Sequence, residues 1–294
     1  MGRIDDHIDK EITFVYFIRI DTQMRLDNIK FVSSFYQKHM PRAAHVFVEE
    51  RGFKDNETPC KDIVNIRHID GDEYIPINVD EGEEWNKCAG YNKGLAAVQS
   101  HITVFNDVDA VIDPDQIREA AITIEEGDAD IVYPYNGEWL CVDDLEHKAQ
   151  FGKTLDYDVL NRTYPDILAN DQYPKQQLIN HRTSDNVLIG HYNSRGGCVM
   201  GRTQTVKEAG GYNPNFKGWG YEDDEFPVRM HRLGLNVTRL AGSRMPCWHL
   251  THTCIGQSEK ETQPHHEANR LLCACIENMT KEEAQEYIKS WKVS

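Results

Sequence analysis

The 294-residue chain is short of basic residues, with 32 Lys and Arg against 48 Asp and Glu and a formal charge of −16. Such a surface repels phosphate backbones and anionic lipid, which excludes general nucleic-acid and membrane-surface binding. Any phosphate handled here must be held through a metal ion or a local basic spot. Long apolar runs are also missing. The nearest approach, Ile12 to Ile20, is interrupted by Thr13 and Arg19 and follows Asp5, Asp6, Asp9, Lys10 and Glu11, a pattern of neither a signal peptide nor a membrane span. No integral membrane contact is expected, and the expected setting is cytoplasmic, in a bacterium or a virus-infected cell. In that setting the acceptor patterns Asn161-Arg162-Thr163 and Asn236-Val237-Thr238 stay idle. Cys-x-x-Cys pairs are absent: eight cysteines scattered over the chain fit neither a zinc ribbon nor a small disulfide scaffold and read as reduced core thiols. Nor is there an internal repeat.

What remains is a folded chain, 39% hydrophobic and 10% aromatic, long enough for two domains or for one α/β domain with a C-terminal appendage. Ile12 to Ile18 reads as a strand buried on both faces, and Arg25 to Met40 carries apolar residues at helical spacing. Strands are expected at Ala44 to Glu49, His101 to Phe105 and Ala129 to Pro134, and helices at Asn86 to Ser100 and Ile117 to Glu126. This alternation favours a mainly parallel sheet flanked by helices, with ligands beyond the carboxyl ends of its strands. From Asn136 to about Tyr192 the pattern breaks into polar and aromatic sequence, including Glu138-Trp139, Tyr157, Tyr164-Pro165 and Tyr173-Pro174. A stretch this long inside an enzyme reads as a binding loop or lid, placed at 137–192, with a decorative insertion as the alternative. Order returns at Gly196 to Gly201, then a short helix from Gln204 to Ala209, a Gly210-Gly211 stop, a helix-like segment from Phe226 to Leu233 and a final amphipathic helix from Lys281 to Trp291.

Three clusters can carry chemistry. Asn106-Asp107-Val108-Asp109 ends a strand, and carboxylates at i and i+2 in such a turn can reach one divalent ion; a solvated Asp-rich strand end is the plainer explanation. Gly218-Trp219-Gly220-Tyr221 precedes the four carboxylates Glu222, Asp223, Asp224 and Glu225. The helix macrodipole accounts for about two of those four. It does not account for the Trp: an indole between glycines and beside carboxylates makes a sugar platform. In Met245-Pro246-Cys247-Trp248-His249-Leu250-Thr251-His252, two histidines three apart can complete the coordination of an ion already held by Asp. With 13 histidines in the chain most are structural or superficial, and His265-His266 reads as surface.

Taken in order, Asn92-x-Gly94, Asp107-Val-Asp109, Gly196-Gly197, Gly210-Gly211-Tyr212, Gly218-Trp-Gly-x-Glu-Asp-Asp224 and the His-rich strand resemble the GT-A-fold glycosyltransferases. The group in question contains the β-galactosyltransferases, chondroitin-type polymerases and polypeptide N-acetylgalactosaminyltransferases, and the resemblance spans about residues 12 to 255. It implies one catalytic domain over 1–255, with a nucleotide-sugar and metal half to about 135, an acceptor and catalytic half over 136–255, and a helical extension over 256–294. It further implies Mn²⁺ or Mg²⁺ as cofactor, with Asp109 and His249 as ligands, His252 as an alternative ligand and Asp107 in the ribose or metal-water shell. The third protein ligand stays open, because Pro246 stands where the galactosyltransferases have Met. Arg19, Asp21, Lys87, Asn92, Gly196 and Gly197 would meet the donor. Asp223 would be the general base, Glu222 and Asp224 would hold acceptor hydroxyls, and Trp219 and Tyr221 would line the acceptor side, where Tyr221 replaces the second Gly of the usual Trp-Gly-Gly.

The implied reaction is metal-dependent, inverting transfer from a nucleotide sugar, with UDP expected, to a hydroxyl of a glycan or glycoconjugate. Glu222 and Asp224 would raise the pKa of Asp223 by like-charge repulsion, and a positioned carboxylate base contributes about 10²–10⁴-fold. Two other readings remain: an inactive carbohydrate-binding protein on the same fold, and a metal-dependent nucleotidyltransferase. The first predicts a missing metal Asp or base, and the second has no use for Gly-Trp-Gly-x-Glu-Asp-Asp.

Overall fold

The computed structural model describes residues 7–51, 59–67, 69–80, 84–168, 178, 181–182, 187–191, 193–252 and 264–291. In chain order the elements begin with β1 (Ile12–Arg19), α1 (Gln23–His39), β2 (Ala44–Arg51), β3 (Glu73–Asn78), α2 (Lys87–Ala97), β4 (Ile102–Asn106), β5 (Ala110–Val111), α3 (Pro114–Glu125) and β6 (Ile131–Tyr133). They continue with β7 (Trp139–Val142), α4 (Leu145–Thr154), α5 (Tyr157–Asn161), β8 (His181–Arg182), β9 (Val187–His191), β10 (Cys198–Arg202) and α6 (Thr203–Glu208). After these come α7 (Glu222–Arg232), β11 (Val237–Arg239), β12 (Cys247–Leu250), α8 (His266–Glu277) and α9 (Lys281–Ile288).

Among the described residues the strands form a seven-stranded sheet, ordered β11-β6-β10-β4-β1-β2-β3, and a five-stranded sheet, ordered β5-β12-β7-β9-β8. In the larger sheet only β10 runs against its neighbours, β4 and β6; the other pairs are parallel. The carboxyl ends of β1, β4, β6 and β11 therefore share one edge, the edge at which open α/β sheets bind ligands. Buried Phe14, Tyr16 and Phe47 fill the middle of this sheet, stacking on one another and on the equally buried His45.

Helix starts follow local capping chemistry. The side chains of Thr22, Asn86 and Asp113 accept hydrogen bonds from the first-turn amides of α1, α2 and α3, and Pro114 follows Asp113 at a position where its missing N–H costs nothing. The last helix thus starts earlier than the expected Ile117. The helix expected to reach Ser100 ends at Ala97, because Val98 turns extended to lead into β4. β3 was not anticipated: it is an edge strand containing Pro76, which has no N–H for a further ladder.

The expectation for 137–192 needs correction. Its described part is not an irregular loop but supplies the inner strands of the smaller sheet: β7 lies between β12 and β9. Phe151 on α4 is fully buried, its ring 5.4 Å from that of Phe35. Strands of four or five residues are too short to show a clear period. Tyr173-Pro174 lie outside the described residues.

The described part of the segment expected as a helical extension carries α8 and α9, which pack against the rest of the protein. Asn269 on α8 is buried and donates to the carbonyls of Lys217 (2.9 Å) and Gly220 (3.0 Å), and Trp291 donates to that of Gly210 (2.7 Å). Asn213 and Asn215 both donate to the Tyr287 hydroxyl at 3.2 Å. Among the described residues no cysteine is disulfide-bonded, and no helix is long and apolar enough to cross a membrane.

Candidate active site and metal centre

Asp109 lies in the turn between β4 and β5, and the register of β5 on β12 pairs Ala110 with His249. Leu250 N–H donates to the Asp109 carbonyl at 2.8 Å, fixing the turn against that strand. As a result His249 Nε2 stands 3.6 Å from Asp109 Oδ1 and His252 Nε2 stands 3.0 Å from Oδ2. One ligand atom from each of the three residues lies within 4.8 Å of the other two. Burial would raise the Asp109 carboxyl, but the two imidazoles outweigh it and hold the group well below its usual range. Burial opposes charge on His249 as well, yet Asp109 and a hydrogen bond with Cys141 lift its pKa well above that of an ordinary imidazole. One carboxylate oxygen and two imidazole nitrogens form a mixed donor set that fits a divalent metal ion. His252, the alternative ligand of the sequence reading, is the third member of this cluster.

Asp107 lies elsewhere. Although expected near the metal, it is not in this cluster: Tyr91 donates to its Oδ1 at 2.7 Å, and Lys87 Nζ approaches the same oxygen at 3.2 Å. Lys87 occupies the first position of α2, and its ammonium also lies 3.2 Å from both carboxylate oxygens of Asp223 and 3.7 Å from Glu222. Burial disfavours that charge, but Asp107, Asp223 and Glu222 together raise the Lys87 pKa well above normal. Asp223 goes the other way from Asp109. Loss of hydration, with Glu222 and Asp107 adding to it, pushes its carboxyl up to about 8 against the opposing pull of Lys87.

The helix carrying Asp223 begins at Glu222, four residues before the expected Phe226, so all four carboxylates occupy its first turn. They divide by direction. Glu225 is fully buried in an ion pair with Arg229, whose other donors reach the Ala209 and Gly211 carbonyls; this carboxylate anchors the helix. Glu222 accepts from Gly220 N–H at 3.0 Å and so fixes the Gly-Trp-Gly turn, while the half-exposed Asp224 pairs with Arg195 at 3.3 Å.

Two adjacent glycines leave space for Asp223 and for Trp139. A Cβ on Gly196 would sit 2.9 Å from Asp223 Oδ2, and one on Gly197, at φ +85°, would sit 2.3 Å from the Trp139 ring. Gly197 also accepts from Asp107 N–H at 2.8 Å, which joins the start of β10 to the turn after β4. Trp139, expected only as part of the loop, packs between Gly197 and His249, its ring 5.1 Å from the imidazole.

Other residues expected to meet the donor have partners within the protein. The Asn92 amide donates to the Tyr212 carbonyl (2.6 Å) and its oxygen accepts from Tyr212 N–H (2.7 Å), stapling α2 to the loop before α7. Arg19 forms a salt bridge with Glu50 at 2.6 Å and lies over the Trp85 ring. Asp21 pairs with Arg25 near the protein surface. On the acceptor side, Trp219 is 39% exposed and Tyr221 adopts φ +69°. His265 and His266 lie at the surface as expected, and there His266 stacks parallel to Trp219 with centroids 6.0 Å apart while His265 meets Glu84 at 2.5 Å. Their distance in sequence from Trp219 left no local signal of this.

Two family descriptions match the chain: "Glycosyl transferase family 2" over residues 63–188 and "N-terminal domain of galactosyltransferase" over residues 184–253. A 50-residue stretch is 46% identical to beta-1,4-galactosyltransferase 7 of Drosophila melanogaster, covering 17% of this chain and 16% of that protein's length. The chain thus matches less than a fifth of that relative. Solved structures with similarity include the catalytic domain of the Drosophila enzyme with xylobiose (17% identity, TM-score 0.41, 86% of this chain and 79% of that one). Another is mannosyltransferase PcManGT from Pyrobaculum calidifontis with GDP-Man and Mn²⁺ (12% identity, TM-score 0.47, 95% of this chain and 68% of that one).

Proposed function

We propose that the chain, a GT-A-type glycosyltransferase of the galactosyltransferase group, moves a sugar from a UDP-sugar to a hydroxyl of a glycan or glycoconjugate, inverting the anomeric centre. The observation that supports this reading is that one lysine joins the acidic turn after β4 to the first turn of α7. Lys87 contacts both Asp223 and Asp107, and Asp107 lies two residues from Asp109 of the His-carboxylate cluster. Asp109, His249 and His252 would hold Mn²⁺ or Mg²⁺. An ion bound there would neutralise a diphosphate leaving group as a Lewis acid, which is how a protein of charge −16 can handle that anion.

The protein's own groups supply the rest. Asp223 accepts the proton of the attacking hydroxyl, and its raised pKa brings it near the working pH of a general base. Gly196 leaves room for the base, and Trp219 offers a sugar an apolar face. One base acting in one displacement gives inversion, by the logic of single-step glycoside chemistry.

A panel of UDP-Gal, UDP-GlcNAc, UDP-Glc, UDP-Xyl and GDP-sugars, assayed with Mn²⁺ for nucleotide release, tests the reading. UDP release with an inverted product by NMR is expected. Pyrophosphate release would instead mean nucleotidyl transfer, and a retained configuration would refute inversion.

A further inference from the structure

Beyond the base, the same sheet edge holds a cavity of about 520 Å³ at the carboxyl ends of β6 and β11. These strands are parallel, with Tyr133 opposite Arg239, and both residues line the cavity together with Asn136, Asn193, Arg195 and His231. No carboxylate is among its lining residues, although the chain as a whole carries a charge of −16. Arg239 lies 4.9 Å over the rings of both Tyr133 and Tyr135 and donates to the carbonyls of Ser194 and Tyr135, so its charge faces π clouds and dipoles. Arg195 pairs at 3.3 Å with Asp224, and both side chains are well exposed (38% and 54%). An exposed pair of this kind contributes little, so Arg195 can change partner at small cost. Arg195 precedes Gly196, which abuts Asp223, and Tyr133 lies within the electrostatic reach of Asp223 and of both arginines.

We propose that this cavity is an acceptor subsite for an anionic sugar, with the guanidinium of Arg195 and the field of Arg239 receiving a carboxylate or sulfate while the hydroxyl to be glycosylated lies at Asp223. The proposal rests on the transferase reading above and names the class of acceptor. Guanidinium groups recognise such planar or tetrahedral oxyanions through paired N–H donors.

The test is calorimetric titration of the intact chain, loaded with Mn²⁺ and UDP, with methyl β-D-glucuronide and methyl β-D-glucoside. The glucuronide is expected to bind at least about tenfold more tightly, with the preference shrinking as salt is raised. Arg195→Gln should erase most of the preference, and Asn193→Asp, which adds a carboxylate at an exposed lining position, should abolish or reverse it. Melting temperatures close to that of the parent chain are expected for both variants. Equal binding of the two sugars, or a preference that survives both substitutions, would overturn the proposal. Inorganic sulfate competing as well as the glucuronide would also overturn it, because the site would then recognise a bare anion and no sugar. Loss of Mn²⁺–UDP binding itself would sink the transferase reading and this proposal with it, whereas intact Mn²⁺–UDP binding without a glucuronide preference sinks this proposal alone.

Discussion

Asp109 and Asp223 are the same residue type at the same edge of the sheet, and the protein drives them in opposite directions. Asp109 faces two imidazoles and is held well below the usual carboxylate range; Asp223 shares a single ammonium with Asp107 and Glu222 and rises to about 8. Burial raises both carboxyls; two imidazoles overcome it at Asp109, and one shared ammonium does not overcome it at Asp223. A carboxylate that stays ionised beside two imidazoles can serve as a metal ligand once those rings are neutral, and a desolvated one that must share a lysine suits acid-base work.

Removing Asp109 should have the largest effect. Asp109→Ala is expected to lose Mn²⁺-dependent UDP binding and to lower kcat/KM by roughly 10³-fold, the equivalent of several kcal/mol of charge stabilisation. Titration calorimetry with and without Mn²⁺ checks it, and unchanged metal-dependent binding would break the contrast between the two carboxylates. Asp223→Asn is expected to cut transfer by about 10²–10⁴-fold while leaving Mn²⁺–UDP affinity nearly unchanged. Equal loss of binding in both variants would mean that the two sites are not chemically distinct.

The pH profile sharpens the comparison. A base must be ionised to accept a proton, so at saturating donor the acceptor kcat/KM should rise with pH toward about 8 and level off above it. Lys87 is the group that lowers the Asp223 pKa; Lys87→Met should therefore move that limb to higher pH and reduce the rate at pH 7 by about tenfold. A limb that stays in place would separate Lys87 from the base. The smallest effect is expected at Cys141, whose hydrogen bond orients His249: Cys141→Ala should weaken Mn²⁺ binding by about tenfold, measured by metal titration, and leave the limb near pH 8 where it was.

The contrast also explains what could be read from sequence. Asp109 at the end of an apolar run, His249 three residues before His252, and Asp223 after Gly-Trp-Gly are each visible because their signals are local. The buried β1, β2 and β4 were legible for the same reason, since apolar runs bounded by polar turns mark fully covered strands. What could not be read is which polar groups neutralise one another. Asn92 sits in a suggestive motif but spends both ends of its amide on the Tyr212 backbone 120 residues away. Asp107 stands beside Asp109 in sequence, yet the turn after β4 sends the two side chains to different partners, Tyr91 with Lys87 in one case and the two histidines in the other. Cys141 and Trp139 lie on a four-residue strand whose position is fixed only by pairing with β12 and β9.

One consequence concerns how such enzymes can be recombined. Asn269 and Trp291 hold the loop that presents Trp219 and the glycines before it, so the helical pair at 266–288 behaves as a brace on the sugar-facing surface. A chimera that exchanged acceptor halves by splicing at residue 255 would join one parent's loop to another parent's brace. The smallest transplantable module runs through Trp291, and any shuffling of specificity within this group of folds has to carry those helices along with the loop they steady.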